Sequence, residues 1–134
     1  MISYKELLGN HTIAEIPIQH QHNLEELLKR INVIREAWGK SMIITSGYRS
    51  MQEHLRIYSE KGITDKSKIP MQSRHLYGMA VDIADTNQEL QHWLKDNVKI
   101  LEDNGLWMED FSATKTWCHF QIVPPKSNNR WFLP

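Results

Sequence analysis

The 134-residue chain contains a single cysteine, Cys118. An internal disulfide framework is therefore excluded. No apolar run approaches the roughly 20 residues of a membrane-spanning helix. No block of one charge sign occurs either. Sixteen basic residues balance sixteen acidic ones, for a formal net charge of +0. The basic stripe that favours nucleic acid is missing, so neither a nucleic-acid nor a membrane partner is expected. Internal repeats and low-complexity segments are absent as well. With 40% hydrophobic residues, the composition is that of a folded chain and not a disordered one. The length suits one domain, residues 1–134. The start, MISYKELLGNHTIAEIP, has no long apolar h-region. The expectation is a monomer made in the cytoplasm without a signal peptide.

Four positions carry helix-start signatures of the capping-box kind: Ser3 with Glu6, Asn23 with Glu26, Ser50 with Glu53, and Thr86 with Glu89. The strongest periodicity predicts a helix over 20–38. Leu24, Leu27, Leu28, Ile31, Ile34 and Trp38 form one apolar stripe there, and Gly39 suits the position just past its end. Further helices are expected over 51–61 and 87–103. Strand candidates are 41–46, 79–84, 106–111 and 116–123, the last two joined by a turn at 112–115. The segment 63–74 reads as a loop interrupted by Pro70, and 124–134 as a tail whose Trp131 and Phe132 pack back onto the body. Together these predict an α+β domain with a mainly antiparallel sheet packed by helices.

The stretch SRHLYGMAVDIAD, residues 73–85, sets Asp82 among Ala80, Val81, Ile83 and Ala84. A buried carboxylate without a partner is costly. On one continuous helix His75 and Asp82 would lie about 10 Å apart, too far to share an ion. A turn through Leu76–Gly78 feeding a strand brings them together, and Gly78 makes such a turn cheap. His119 is the best candidate for a third ligand. It alternates with Cys118 and Phe120, on the face shared by Trp117 and Gln121. Cys118 is thus a small buried hydrophobe. Two imidazoles and a carboxylate form a known catalytic zinc set with one position left open. A core histidine hydrogen-bonded to an aspartate, with no ion, is the alternative the spacing leaves open. The histidines at 11, 20, 22, 54 and 92 receive no role, and His20 and His22 are expected to face solvent.

Three blocks in order, TSGYRS (45–50), SRHLYGMAVDI (73–83) and WCHF (117–120), resemble the M15 family of zinc peptidases. That family includes D-alanyl-D-alanine carboxypeptidases and bacteriophage peptidoglycan endopeptidases. The similarity is to its short domains and covers about residues 20–123. The resemblance implies the fold shared by the DD-peptidases and the hedgehog signalling domain. It implies one Zn2+ per chain, with His75, Asp82 and His119 as ligands. Arg49 becomes a substrate-binding and catalytic residue, and Ser73 a supporting one. The implied partner is a peptidoglycan stem peptide, cut at the cell wall after release of the protein. Arginine's rigid fork of donors suits a carboxylate. A surface pair between Arg49 and Glu53 is the plain alternative.

A zinc hydrolase also needs a general base. Where several family members carry an acid three residues before the last histidine ligand, this chain has Thr116. Where others carry a histidine two before, it has Trp117, which becomes a wall of the cleft. Glu109 and Asp110 on the preceding strand remain. A four-residue turn would set Asp110 on the face of His119, and a one-residue register change would set Glu109 there instead. The family's habit favours Glu109. The expected activity is a murein endopeptidase of phage or prophage type. A D-Ala-D-Ala carboxypeptidase and a non-catalytic zinc-containing binding module are the alternatives.

Overall fold

The computed structural model describes residues 1–134. Helices are α1 (Tyr4–Leu8), α2 (Ile18–Trp38), α3 (Met51–Glu60), α4 (Glu89–Asp96) and α5 (Val98–Asp103). Strands are β1 (Ile44–Ser46), β2 (Ala80–Ala84), β3 (Trp107–Glu109), β4 (Trp117–Gln121) and β5 (Trp131–Phe132). They form one sheet in the order β1-β2-β4-β3-β5. The β1–β2, β2–β4 and β3–β4 pairings are antiparallel, and β3–β5 is parallel. The class is α+β with a mixed sheet. The parallel pairing comes from the tail, which packs back as expected and adds an edge strand.

The apolar stripe of α2 buries Leu24, Leu27, Ile31 and Ile34 completely. They pack in one core with Val81 and Ile83 of β2 and Cys118 and Phe120 of β4. The helix begins at Ile18, after Pro17. The capping box expected at Asn23 is therefore not formed. Asn23 lies inside the helix, and its amide donates to the Tyr77 carbonyl at 2.9 Å. His20 is likewise inside α2 and half-buried, its ring centroid 6.0 Å from Tyr48 and 5.6 Å from Tyr77. This corrects the solvent-facing expectation.

The box at Ser3 forms in full, Ser3 accepting from the Glu6 amide and Glu6 reciprocating. Ser50 caps its helix by accepting from the Glu53 amide, but the return bond is not made, because the Ser50 amide donates to His11 Nε2 at 3.4 Å. The expected single helix over 87–103 divides at Asn97, whose backbone leaves helical geometry at φ −128° and ψ 41°. Thr86 does not cap it. Asp85 does, accepting from the amides of Leu90 and Gln91 at 3.0 Å each. A buried carboxylate accepting several N–H bonds needs no cation.

The chain leaving β1 is gripped from both sides. The Tyr48 amide donates to the Leu7 carbonyl at 2.9 Å, and the Arg49 amide to the His75 carbonyl at 3.1 Å. A Cβ on Gly47 would lie 2.3 Å from the Leu7 carbonyl oxygen. The glycine is required for space, since its backbone angle is not in the left-handed region. Gly47→Ala is expected to cost about 1–3 kcal/mol through overpacking against backbone. Chemical denaturation of the purified variant measures this, and an unchanged midpoint would refute the close packing of α1 on this loop.

Candidate active site

His75 comes from a 3-10 turn, Arg74–Tyr77, that ends at Gly78 in the left-handed region (φ 72°). A Cβ there would also meet the His20 carbonyl at 2.7 Å. This is the turn the spacing required. It delivers His75 beside β2, where Asp82 pairs with His119 of β4. Alternation on β4 leaves Cys118 and Phe120 in the core and gives Trp117, His119 and Gln121 to an open cleft.

The hydrogen bonds set both imidazole tautomers. His75 Nδ1 lies 2.9 Å from the Gly47 carbonyl. A carbonyl only accepts, so Nδ1 carries the proton and Nε2 bears the lone pair. That Nε2 is 3.3 Å from Asp82 Oδ2. Gln121 Nε2 donates to the Val123 carbonyl at 2.9 Å, which turns Gln121 Oε1 toward His119 Nε2 at 3.0 Å. His119 therefore carries its proton on Nε2, and its Nδ1 faces Asp82 Oδ1 at 2.9 Å. Two imidazole lone pairs and a carboxylate thus converge, their ligand atoms within 4.8 Å of one another. Such a set is stable only with a cation or an added proton among its members. It is suited to one metal ion, and each ring is steadied by a partner outside the cluster, as metal-binding histidines usually are.

The titration behaviour follows from the same contacts. Burial alone would raise Asp82, but the charges and hydrogen bonds of His75 and His119 outweigh it and hold Asp82 well below the usual carboxylate range. For His119, burial opposes protonation, and the bond and charge of Asp82, with Glu109 adding, carry its pKa upward. Glu109 is pushed up, chiefly by burial and also by Asp82, against the opposing pull of the two histidines.

The cleft measures about 1090 Å³ and includes Arg49, Ser73, His75, Asp82, Glu109, Trp117 and His119 on its walls. Every site residue singled out in the sequence is thus brought to one place, except Asp110. The β3–β4 register pairs Met108 with Phe120. That is one residue away from the simple four-residue-turn register, and it sets Glu109 level with His119. Asp110 instead accepts from the Ser112 amide at 2.9 Å and stabilises the turn. Arg49 does not pair with Glu53. Its Nε donates to Ser46 Oγ at 3.0 Å, and its Nη2 lies 3.9 Å from Asp82 Oδ2. Gln121 and the buried His54 lie outside the three motif blocks, and Ser46 lies inside TSGYRS without a role assigned to it there. For Gln121, the signal was its place on the face of His119.

Residues 1–119 match the family Peptidase M15. No curated protein and no solved structure matches the chain. The chain belongs to the M15 peptidase family. With the His75, Asp82 and His119 cluster, it is a zinc metallopeptidase acting on peptide substrates. No helix is long and apolar enough to cross a membrane.

Metal and proton compete for His119. In the metal-free chain the raised His119 contributes stability below the ordinary histidine value of about 6.5. That contribution is lost as pH rises through its higher native value. The depressed Asp82 contributes above about 3.9 and loses its share as pH falls. His119 would have to give up its proton to hold zinc, so the stabilisation zinc supplies should grow by up to about 1.4 kcal/mol per pH unit while that proton is held. Thermal unfolding with zinc or with chelator, at about pH 6 and about pH 8, is expected to show the larger zinc increment at the higher pH. Equal increments would refute the assignment of His119.

Proposed function

We propose that this chain hydrolyses the stem peptides of peptidoglycan, as an endopeptidase of phage or prophage type acting on the cell wall after release. The observation that carries the reading is that Arg49 and Glu109 share one cleft with the His75, Asp82 and His119 cluster. Kinship with the DD-peptidase and hedgehog fold belongs to the same proposal.

His75, Asp82 and His119 would hold the zinc. Bound there, zinc polarises the scissile carbonyl and eases deprotonation of water at its open position. Arg49 grips a carboxylate of the peptide with its guanidinium fork. Glu109 takes a proton from the attacking water and delivers it to the leaving amine. Its raised pKa, caused first by burial, moves it toward the value that serves both transfers. Trp117 forms a wall against which the peptide lies, and Ser73 supports the substrate beside the first ligand. The balance of the step is simple. The C–N bond breaks, the acyl carbon gains hydroxyl, and the amine gains the proton.

The balanced charge gives no long-range hold on an anionic wall, so affinity comes from the cleft. A substrate carboxylate near the cut is offered by L-alanyl-D-glutamate and by D-Ala-D-Ala alike. Lysis requires breaking the cross-linked mesh, which favours the endopeptidase. Digestion of purified peptidoglycan by the zinc-loaded protein, followed by mass spectrometry, is expected to release internal stem-peptide fragments. Release of free D-alanine alone would replace the endopeptidase with the carboxypeptidase. No cleavage at all would favour the binding module.

For the base, Glu109→Gln is expected to retain zinc and fold while lowering kcat by about 10²–10⁴-fold. Asp110→Asn is expected to change kcat little. The reverse ranking, in steady-state kinetics on a stem peptide, would move the role to Asp110.

A further inference from the structure

His54 of α3 takes no part in the chemistry described so far, yet it is fully buried. Both of its ring nitrogens are committed. Nε2 lies 2.9 Å from the Pro70 carbonyl, so it carries the proton. Nδ1 then bears the lone pair, and Arg49 Nη1, which can only donate, lies 3.3 Å away. The Tyr58 ring meets His54 in a T-shaped contact with centroids 5.0 Å apart.

These contacts join two parts of the cleft. Arg49 is held by Ser46 Oγ at Nε and by His54 at Nη1, which leaves its outer face toward Asp82. Pro70 belongs to the 63–74 loop, whose Pro70, Met71, Gln72 and Ser73 form one wall. One imidazole therefore ties the guanidinium to the loop that faces the substrate. A leucine would fill the same space and make neither bond. A polar ring with no exposure is tolerated only when both nitrogens are bonded.

We infer that His54 is a positioning residue, setting the Arg49 guanidinium for the substrate carboxylate through Nδ1 and fixing the 63–74 wall through Nε2. The inference rests on the proposed role of Arg49 as the carboxylate clamp. The ring's neutral state fits the geometry. Burial first, then the charges of Arg49, His75 and Lys61, outweigh the Pro70 bond and lower its pKa. A proton on Nδ1 would oppose one donor to another.

Two substitutions separate the two bonds. Asparagine retains an acceptor near the Nδ1 position and lacks the distal donor. Glutamine retains a distal donor and lacks the proximal acceptor. On the zinc-loaded protein, His54→Leu is expected to raise KM for a stem peptide about tenfold, the scale of one hydrogen bond to a charged group. The expected kcat change is smaller. His54→Asn should recover most of that loss and His54→Gln should not, with zinc content and circular dichroism unchanged. Rescue by glutamine and not by asparagine would overturn the Arg49 assignment. So would additive losses in the Arg49→Ala/His54→Leu double variant.

A second readout does not depend on turnover. In 15N-labelled protein, the His54 Nδ1 resonance should move toward that of a free lone pair in Arg49→Ala. An unmoved resonance would overturn the inference. Unchanged KM in Arg49→Ala would instead overturn the clamp reading, while the nitrogen spectrum still decides whether His54 holds Arg49.

Discussion

The arrangement turns on one carboxylate placed where a carboxylate is costly. Asp82 sits in β2 between strands, with Ala80, Val81 and Ile83 fully buried around it. Its charge is sustained by two imidazoles from different elements, one across the β2–β4 ladder and one on the turn before β2. Each imidazole is oriented by a neutral acceptor on its far side, Gly47 for His75 and Gln121 for His119. Removing any of these partners would free a ring to rotate or leave the carboxylate without compensation. The loop after β1, the 3-10 turn and the β3–β4 hairpin are thereby bound to the demands of one ion site.

The sheet keeps chemistry and packing apart by strand alternation alone. Cys118 and Phe120 enter the core while Trp117, His119 and Gln121 enter the cleft. The thiol of Cys118 is pushed well above its ordinary value by complete burial. It stands next to a ligand without joining the cluster. Phe132 of the tail strand meets the His119 ring edge-on, with centroids 6.1 Å apart. Residues outside the M15 match at 1–119 thus help to wall the site.

Much of this was legible because periodicity and motif spacing are local. The α2 stripe, the turn at Gly78 and the alternation on β4 could each be read within a short window. What failed depended on partners distant in sequence. Thr86 looked like a cap, but the capping side chain is Asp85, which is bound by the Gln91 side chain and, through its own amide, by the Thr116 carbonyl just before β4. His20 looked solvent-facing until Tyr48 and Tyr77 enclosed it. The choice between Glu109 and Asp110 hung on a single residue of hairpin register, which turn length alone does not determine. His54 was unreadable for the same reason, since its two partners lie five residues before it and sixteen after it.

The turn that ends at Gly78 divides the ligand set unequally. Asp82 and His119 face each other on a single rung of the ladder between β2 and β4, in the interior of the sheet. His75 hangs on four residues of 3-10 helix, held by the close approach of Gly78 to α2 and by the Gly47 carbonyl. The backbones of two of the three side chains are thus held by the sheet, and that of the third by one turn. An ion bound there would be held on two sides by a rigid ladder and on the third by a short segment, so a chelator would meet least backbone resistance at His75.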